Sequence, residues 1–234
     1  MIRQRDVQPE LMDQPGLDPG LHLHALSGLR RINAISRIPA ILWPTIAEVA
    51  QQLAPATVRV LDIACGGGDT PIALARRAER ASLSIEVDGC DVSDCALQES
   101  QRRARDAAVQ NVGFFHLDVL EQPLPKGYHI LTSSLFLHHL SEEQAARLLR
   151  RMAAAAQNAV LICDLERSWL GYVLAWVGCR LLTRSAVVHV DGPRSVAAAF
   201  AVSEICALAE RSGLDGAVMS HHWPERWLLA WRKR

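Results

Sequence analysis

The amino-acid sequence predicts an α/β domain built on a doubly wound, mostly parallel sheet of seven strands. Apolar runs of strand length alternate with runs at helical spacing through the middle of the chain, as expected of a parallel sheet covered on both faces. The first apolar run, from Val58 to Ala64, stops at a glycine triplet and leads into a helical stretch. With 234 residues, half of them apolar, the chain can bury one substantial core.

The predicted strands and helices follow one another from the glycine loop to the C-terminus. The helix after the loop starts close to Pro71, because proline suits the first turn of a helix. Ser93 caps the next helix, and Ser141 with Gln144 forms a capping box before the helix between strands four and five. An antiparallel hairpin with Pro224 in its turn completes the sheet. The predicted strands are residues 58–64, 83–91, 112–117, 129–134, 160–164, 217–221 and 227–231.

Two segments lie outside this alternation, and we expect them to close over a ligand at the strand ends. Residues 1–56 form a tail rich in proline and glycine and then a helical lid, and residues 166–200 are an insertion in the domain of residues 57–234. The insertion contains an uncharged run, Trp169 to Cys179, too short for the ~20 residues of a membrane-spanning helix. Three roles are open for this run: packing on the core, lining an acceptor pocket, or peripheral contact with a membrane. The predicted apolar face of the lid helix carries Leu26, Leu29, Ile32, Ile35 and Ile38.

Composition disfavours several functional classes. Lys and Arg balance Asp and Glu at 25 each, so a nucleic-acid partner is not expected. The six cysteines are scattered without a C-x-x-C pair, which indicates free thiols in a reducing compartment. The start of the chain carries charged residues without an apolar signal segment, so we expect the protein to be located in the cytoplasm. The oligomeric state is open.

Polar residues follow four of the predicted strands at the point where each strand ends. In an open α/β sheet, ligands bind beyond these carboxyl ends, near the place where the strand order reverses. We therefore expect the polar residues to line one pocket together with the glycine loop. They are Asp62, Asp91, Asp118, Ser134, His138 and His139.

Four motifs in this order resemble those of class I S-adenosylmethionine (SAM) methyltransferases. The glycine loop departs from the dinucleotide fingerprint, because Pro71 stands where the third small residue belongs, and this disfavours a nicotinamide-dependent oxidoreductase. The fourth motif is similar to the segment after strand four in the quinol methyltransferases of ubiquinone and menaquinone synthesis. The motifs are Asp62-x-x-x-Gly66-x-Gly68, Cys90-Asp91-Val92-Ser93, Leu117-Asp118-Val119-Leu120 and the segment Thr132 to Ser141.

The resemblance implies a Rossmann-like fold and SAM as the cofactor. It implies that Asp91 accepts hydrogen bonds from the ribose hydroxyls and that Asp118 with Val119 meets the adenine. The residues alone leave open whether Asp62 touches the cofactor or only the loop backbone, and whether Asp91 and Asp118 merely begin a helix and a turn. The predicted cofactor-binding residues are Asp62, Ala64, Cys65, Gly66, Gly68, Asp91, Val92, Asp118, Val119 and Ser134.

The resemblance further predicts a small, hydrophobic aromatic acceptor, methylated on a phenol or quinol oxygen. His138 or His139 would take the hydroxyl proton, or else form part of the pocket wall. His189 with Asp191 as its orienting carboxylate is another candidate base. Carbon methylation of the ring and a catalytically silent SAM-binding subunit are the alternatives. Strand four ends in serines rather than in acidic ligands, so no metal is expected.

Overall fold

The computed structural model describes residues 2, 4–14 and 16–233. The strands in these residues are β1 Val58–Ile63, β2 Ile85–Asp91, β3 Val112–His116, β4 Ile130–Ser134, β5 Ala159–Leu165, β6 Val218–His222 and β7 Arg226–Arg232. The helices are α1 Pro19–Ser36, α2 Ile38–Leu53, α3 Asp69–Arg80, α4 Asp94–Asp106, α5 Glu142–Ala155, α6 Trp169–Leu182, α7 Ala186–Ala198 and α8 Val202–Glu210. Short 3-10 turns cover Leu11–Asp13 and Leu137–His139.

The strands form one sheet in the order β3-β2-β1-β4-β5-β7-β6. The first five run parallel, and β7 pairs antiparallel with both β5 and β6. This arrangement confirms the predicted sheet and its closing hairpin. The chain moves outward from β1 to β3 and then returns to the other side of β1, so the strand order reverses between β1 and β4. The carboxyl ends of these two strands flank the crevice in which a ligand would bind.

Side chains of the strands alternate between two cores, one on each face of the sheet. Val58 and Val60 of β1 belong to the core under α2, α3 and α4, whereas Leu61 and Ile63 pack with α5 and α8. Both faces of the central strands are therefore apolar. Polar side chains that serve a ligand must lie at the strand ends, where this packing stops.

The helix starts agree with the capping signals in the sequence. The α3 helix begins at Asp69, which places Pro71 in the first turn, where backbone N–H groups have no partner inside the helix. The Ser93 hydroxyl accepts a hydrogen bond from the N–H of Ala96 at 3.2 Å and caps α4. Ser141 begins α5 through the predicted capping box. These caps fix the points at which each helix leaves the carboxyl edge of the sheet.

The first helical segment divides in two at Arg37, which has a φ of 51°. The α2 helix packs directly on the sheet and belongs to its core, while α1 lies over the strand ends. Leu29 and Ile32 of the predicted apolar face pack with Ala25 against the helices of the insertion. Ile35 is 52% exposed and, like the other four residues of that face, lines a large cavity.

The insertion after β5 forms α6 and α7. The α6 helix turns one side toward the domain and leaves the other open, with Trp169 64% and Leu181 78% exposed. Among the described residues, no helix combines the length and apolar character that crossing a bilayer requires. The inner side of α6 carries small residues, including Gly171, Ala175 and Gly178, which face a large cavity.

Candidate active site

A cavity of about 1330 Å³ opens at the carboxyl ends of β1, β2 and β4. Its floor is the glycine loop and the strand ends, and its roof consists of α1, α6, α7 and the N-terminal strap, by which we mean residues 4–14. Nine of the ten predicted cofactor-binding residues line it. They are Asp62, Ala64, Cys65, Gly66, Asp91, Val92, Asp118, Val119 and Ser134.

The two motif glycines of the loop have different roles. Gly66 has a φ of +51°, and a Cβ there would meet nothing within 4 Å, so a ligand can approach its backbone closely. Gly68 has a φ of +75° and is not among the described residues that line the cavity. A Cβ on Gly68 would lie 2.7 Å from the Cβ of Ser100 and 3.0 Å from the Phe114 ring. Gly68 is therefore required for packing behind the loop, and its role in binding the cofactor stays a prediction.

Arg103, a residue of α4 outside the four motifs, holds the loop in place. The Arg103 guanidinium donates to the carbonyl of Gly67 at 2.5 Å and pairs with the Asp69 carboxylate at 2.6 Å. Asp69 also accepts from the Asn33 amide at 3.1 Å. The loop is thus tied to α4 and α1 at once. No motif in the sequence pointed to this contact, because it joins residues 36 positions apart.

Asp91 lies at the end of β2 and braces the glycine loop from beneath. One carboxylate oxygen accepts from the N–H of Gly66 at 2.8 Å, and the other accepts from the N–H of Ser93 at 2.9 Å. Each oxygen has a second lone pair, which leaves acceptor capacity for a ribose hydroxyl. Val92 beside it is 56% exposed, as suits an apolar wall that meets a ligand.

Asp62 lies at the bottom of the cavity and is 2% exposed. Burial raises the pKa of its carboxyl to about 7; the nearby Asp91 charge adds to this rise, and the hydrogen bond from Thr132 opposes it. The Thr132 hydroxyl donates to Asp62 at 2.6 Å. Asp62 therefore holds β1 to β4 at the point where the strand order reverses.

Asp118, after β3, and Ser134, at the end of β4, also line the cavity. The Asp118 carboxylate accepts from the N–H groups of Leu120 at 2.9 Å and Glu121 at 3.3 Å, so it shapes the turn after β3 as well as lining the cavity. Ser134 contributes a buried hydroxyl with no hydrogen-bond partner among the described residues. A buried hydroxyl of this kind favours a ligand that supplies its partner.

His138 is oriented by a carboxylate that the sequence analysis did not assign. Its Nδ1 lies 2.7 Å from Oδ1 of Asp164 at the end of β5, and the two residues are 3% and 1% exposed. Burial opposes ionisation of Asp164, but the attraction and hydrogen bond from His138 and the N–H of Leu165 outweigh it and lower its pKa. An ionised carboxylate only accepts, so we assign the Nδ1 proton to His138. Nε2 is then the ring nitrogen left for a further contact.

The neighbouring His139 also lines the cavity. The two imidazole centroids are 4.3 Å apart. The cavity therefore has two histidines on this side. Asp164 could have been found in the sequence by the same reasoning that selected Asp62 and Asp91, since it also ends a parallel strand.

The prediction of His189 as a base paired with Asp191 is wrong. The Nε2 of His189 donates to the carbonyl of Thr183 at 2.8 Å, and His189 is not among the described residues of the cavity wall. Asp191 instead accepts from the N–H groups of Leu11 and Met12 at 2.9 and 3.0 Å. Both side chains lie on α7, where one secures the preceding turn and the other secures the N-terminal strap.

The strap is also held directly over the histidine turn. The Arg5 guanidinium donates to the carbonyls of Ala198 at 2.8 Å, Leu140 at 2.9 Å and His138 at 3.3 Å. Further along, Glu10 accepts from the Ser195 hydroxyl at 2.5 Å. These contacts place Glu10 beside His138 in the cavity wall, although it lies 128 positions before His138 in the sequence.

Comparison with known proteins agrees with this geometry. A family model described as a methyltransferase domain matches residues 60–158. Over these residues the chain is similar to a family that uses SAM, which supports the predicted methyltransferase and its cofactor. The matched residues contain the glycine loop, Asp91, Asp118 and the histidine turn, whereas the strap, α1, α6 and α7 lie outside them.

The individual proteins that are similar to this chain share only 16–26% sequence identity with it. A ubiquinone biosynthesis O-methyltransferase of Methylococcus capsulatus is 26% identical over 163 residues, which cover 69% of this chain and 65% of that protein. A magnesium protoporphyrin IX methyltransferase of Synechocystis, solved with bound SAH, is similar in structure with a TM-score of 0.58, 19% identity and coverage of 95% and 91%. An O-methyltransferase family 2 protein of Planctomyces limnophilus in complex with apigenin gives a TM-score of 0.65 at 16% identity, over 95% of this chain and 63% of that one. These structures confirm the fold.

Proposed function

We propose that this methyltransferase transfers the methyl group of SAM to a phenol or quinol oxygen of a small, hydrophobic aromatic acceptor. The observation that carries the proposal is the His138–Asp164 pair, which opens into the same cavity as the four SAM motifs. A buried imidazole whose Nδ1 is held by a carboxylate beside a ligand cavity is suited to accept a proton at Nε2. The names of the relatives support an oxygen acceptor.

The walls of the cavity beyond the histidines support the apolar character of the acceptor. The lining from α6 is aliphatic or small, and α1 contributes aliphatic side chains beside the polar His22, Arg30 and Asn33. An aromatic ring with an apolar substituent would bury its surface there. The wall residues are Leu26, Leu29, Ile32, Leu174, Ala175, Gly178 and Leu182.

The proposed reaction is an in-line displacement. The acceptor oxygen forms a bond to the methyl carbon as the bond to sulfur breaks, and SAM leaves as S-adenosylhomocysteine. His138 Nε2 receives the hydroxyl proton, and Asp164 stabilises the resulting imidazolium. Alignment of the two reactants and exclusion of water supply about 7–11 kcal/mol of the lowering of the barrier. This step needs no metal ion.

The cofactor end is proposed to bind SAM through the residues that line the floor. Asp91 accepts from the ribose hydroxyls, the glycine loop approaches the amino-acid portion, and Asp118 with Val119 meets the adenine. Ser134 supplies its unpaired hydroxyl to the same ligand. All six cysteines are free thiols, which supports the proposed cytoplasmic location.

The outer side of α6 is proposed to contact a membrane surface, where hydrophobic acceptors reside. Trp169, Val173 and Trp176 are 64%, 37% and 47% exposed on that side, and Arg180 stacks on Trp176 at 4.0 Å. Exposed aromatic and cationic side chains on one helix face suit the interface of a bilayer. Cosedimentation with anionic vesicles tests this contact, and a Trp169→Ser/Trp176→Ser variant that cosediments as the wild type does would contradict it.

The experiment that tests the function is a methyl-transfer assay with SAM and a panel of phenols and quinols. S-adenosylhomocysteine release identifies turnover, and mass spectrometry with NMR of the product distinguishes oxygen from carbon methylation. His138→Gln should abolish turnover but keep SAM affinity by calorimetry, and His24→Gln on the exposed side of α1 serves as a control. SAM binding without turnover on any acceptor would indicate a silent subunit instead.

A further inference from the structure

Three potential metal ligands from distant parts of the chain meet at the acceptor end of the cavity. Glu10 comes from the N-terminal strap, and His138 and His139 come from the turn after β4. The Nε2 atoms of His138 and His139 lie 3.7 and 3.9 Å from Oε1 of Glu10. One ligand atom from each of the three side chains can be chosen so that all lie within 4.8 Å of one another.

The charge arrangement in this cluster favours a cation. Asp164 occupies the Nδ1 side of His138 at 2.7 Å, which leaves Nε2 as the ring nitrogen that faces the Glu10 carboxylate across 3.7 Å. The Glu10 side chain is 11% exposed and receives one hydrogen bond, from Ser195 at 2.5 Å, among the contacts of the described residues. The carboxylates of Glu10 and Asp164 therefore flank the His138 ring in a shielded place, where they stabilise a positive centre bound at Nε2.

The donor set identifies the class of ion. Two imidazole nitrogens and one carboxylate oxygen suit zinc and similar transition metals, and three protein ligands leave a fourth position open to the cavity. Metal–ligand bonds of about 2.0–2.2 Å separate tetrahedral ligand atoms by roughly 3.3–3.6 Å. The two Glu10 separations need to shorten by only a few tenths of an ångström. The Asp164–His138 contact is the outer carboxylate that commonly orients a metal-binding histidine.

We propose that Glu10, His138 and His139 form a binding site for a transition-metal ion of the zinc class, and that the ion inhibits methyl transfer. A bound ion takes the Nε2 lone pair of His138, so that nitrogen can no longer accept the acceptor's proton. The inhibitory half rests on the proposed function, whereas binding does not. The sequence-based expectation of no metal considered acidic residues at the strand ends and did not include the strap.

The test begins with the full-length protein freed of metal by a chelator. Zinc chloride is titrated in competition with a chromophoric zinc indicator, without SAM or acceptor. We expect one zinc ion per chain, with affinity reduced at least tenfold in both Glu10→Gln and His139→Gln and unchanged in the exposed control His24→Gln. Circular dichroism and thermal unfolding verify that the variants are folded. If the wild type does not bind zinc, or if the wild type and the three variants bind it equally, the proposed metal site is wrong.

Turnover is then measured with and without zinc. Loss of methyl transfer on adding one equivalent, reversed by the chelator, supports inhibition. Zinc that binds but leaves turnover unchanged, or raises it, overturns the inhibitory half. If the chelator-treated protein transfers no methyl group to any acceptor while zinc binding is intact, the proposed function fails and the metal site stands.

Discussion

Replacing Asp91 with asparagine should weaken SAM binding sharply while the domain stays folded. The carboxylate accepts N–H groups from Gly66 at 2.8 Å and Ser93 at 2.9 Å, and we propose that it also accepts from the ribose. Asparagine offers one oxygen and one NH₂ group, so one of these donors would face another donor. Loss of one hydrogen bond to a charged group costs about 1.5–3 kcal/mol, which raises the Kd for SAM about 10- to 150-fold.

Isothermal calorimetry measures this change directly. Asp94→Asn removes the same charge from an exposed residue in the first turn of α4 and should leave the Kd within twofold of the wild type. The 2′-deoxy analogue of S-adenosylhomocysteine separates the ribose contact from the loop contact. It should bind less tightly than S-adenosylhomocysteine to the wild type, whereas Asp91→Asn should bind both alike. An unchanged Kd for SAM in Asp91→Asn would refute the reasoning.

Three further changes test other parts of the site. Gly68→Ala should lower the free energy of unfolding by about 2–4 kcal/mol, because its φ of +75° and the Ser100 contact at 2.7 Å both oppose a Cβ; urea unfolding measures this, and wild-type stability would contradict it. Asp62 has a folded pKa of about 7 against 3.8, so the folded protein keeps a proton that the unfolded chain loses, and stability falls as pH rises from about 4 to 7. The unfolding free energy of Asp62→Asn relative to wild type should therefore increase by up to about 4 kcal/mol across that window, and a difference that stays flat with pH would count against the raised pKa. Asp164→Asn should reduce kcat by roughly 10²–10⁴-fold with unchanged SAM affinity, because the imidazole loses its fixed tautomer; a wild-type kcat would remove His138 from the mechanism.

The cofactor end of the site could be predicted from sequence because its determinants are local. Asp62, Asp91 and Asp118 each lie at or just after the end of a strand that the sequence shows as an apolar run. The glycine loop follows the first of these strands. The register of parallel strands then places all three at one edge of the sheet. The fold class follows from the same alternation, and the caps at Ser93 and Ser141 mark the helix starts.

The acceptor end could not be predicted in the same way. Glu10 meets His138 only after the strap has been placed by Arg5 and Asp191, and no periodic pattern encodes such contacts. His189 looked like a base because Asp191 is two residues away, but on a helix these positions do not face each other. Gly68 matched a ligand motif, yet the side chains of α4 and β3 behind it explain why only glycine fits.

The hydrogen bonds that hold the strap affect the order in which parts of this protein fold during synthesis. Leu11 and Asp191 are 180 residues apart, whereas the loop, Asp91 and Asp118 come from one contiguous third of the chain. On the ribosome, the cofactor half can assemble while the strap still waits for α7 to emerge. The same separation means that local opening of the strap would release the acceptor side first and leave the nucleotide side intact. A bulky tag fused to the first residue would therefore be expected to disturb acceptor selection before it disturbs SAM binding.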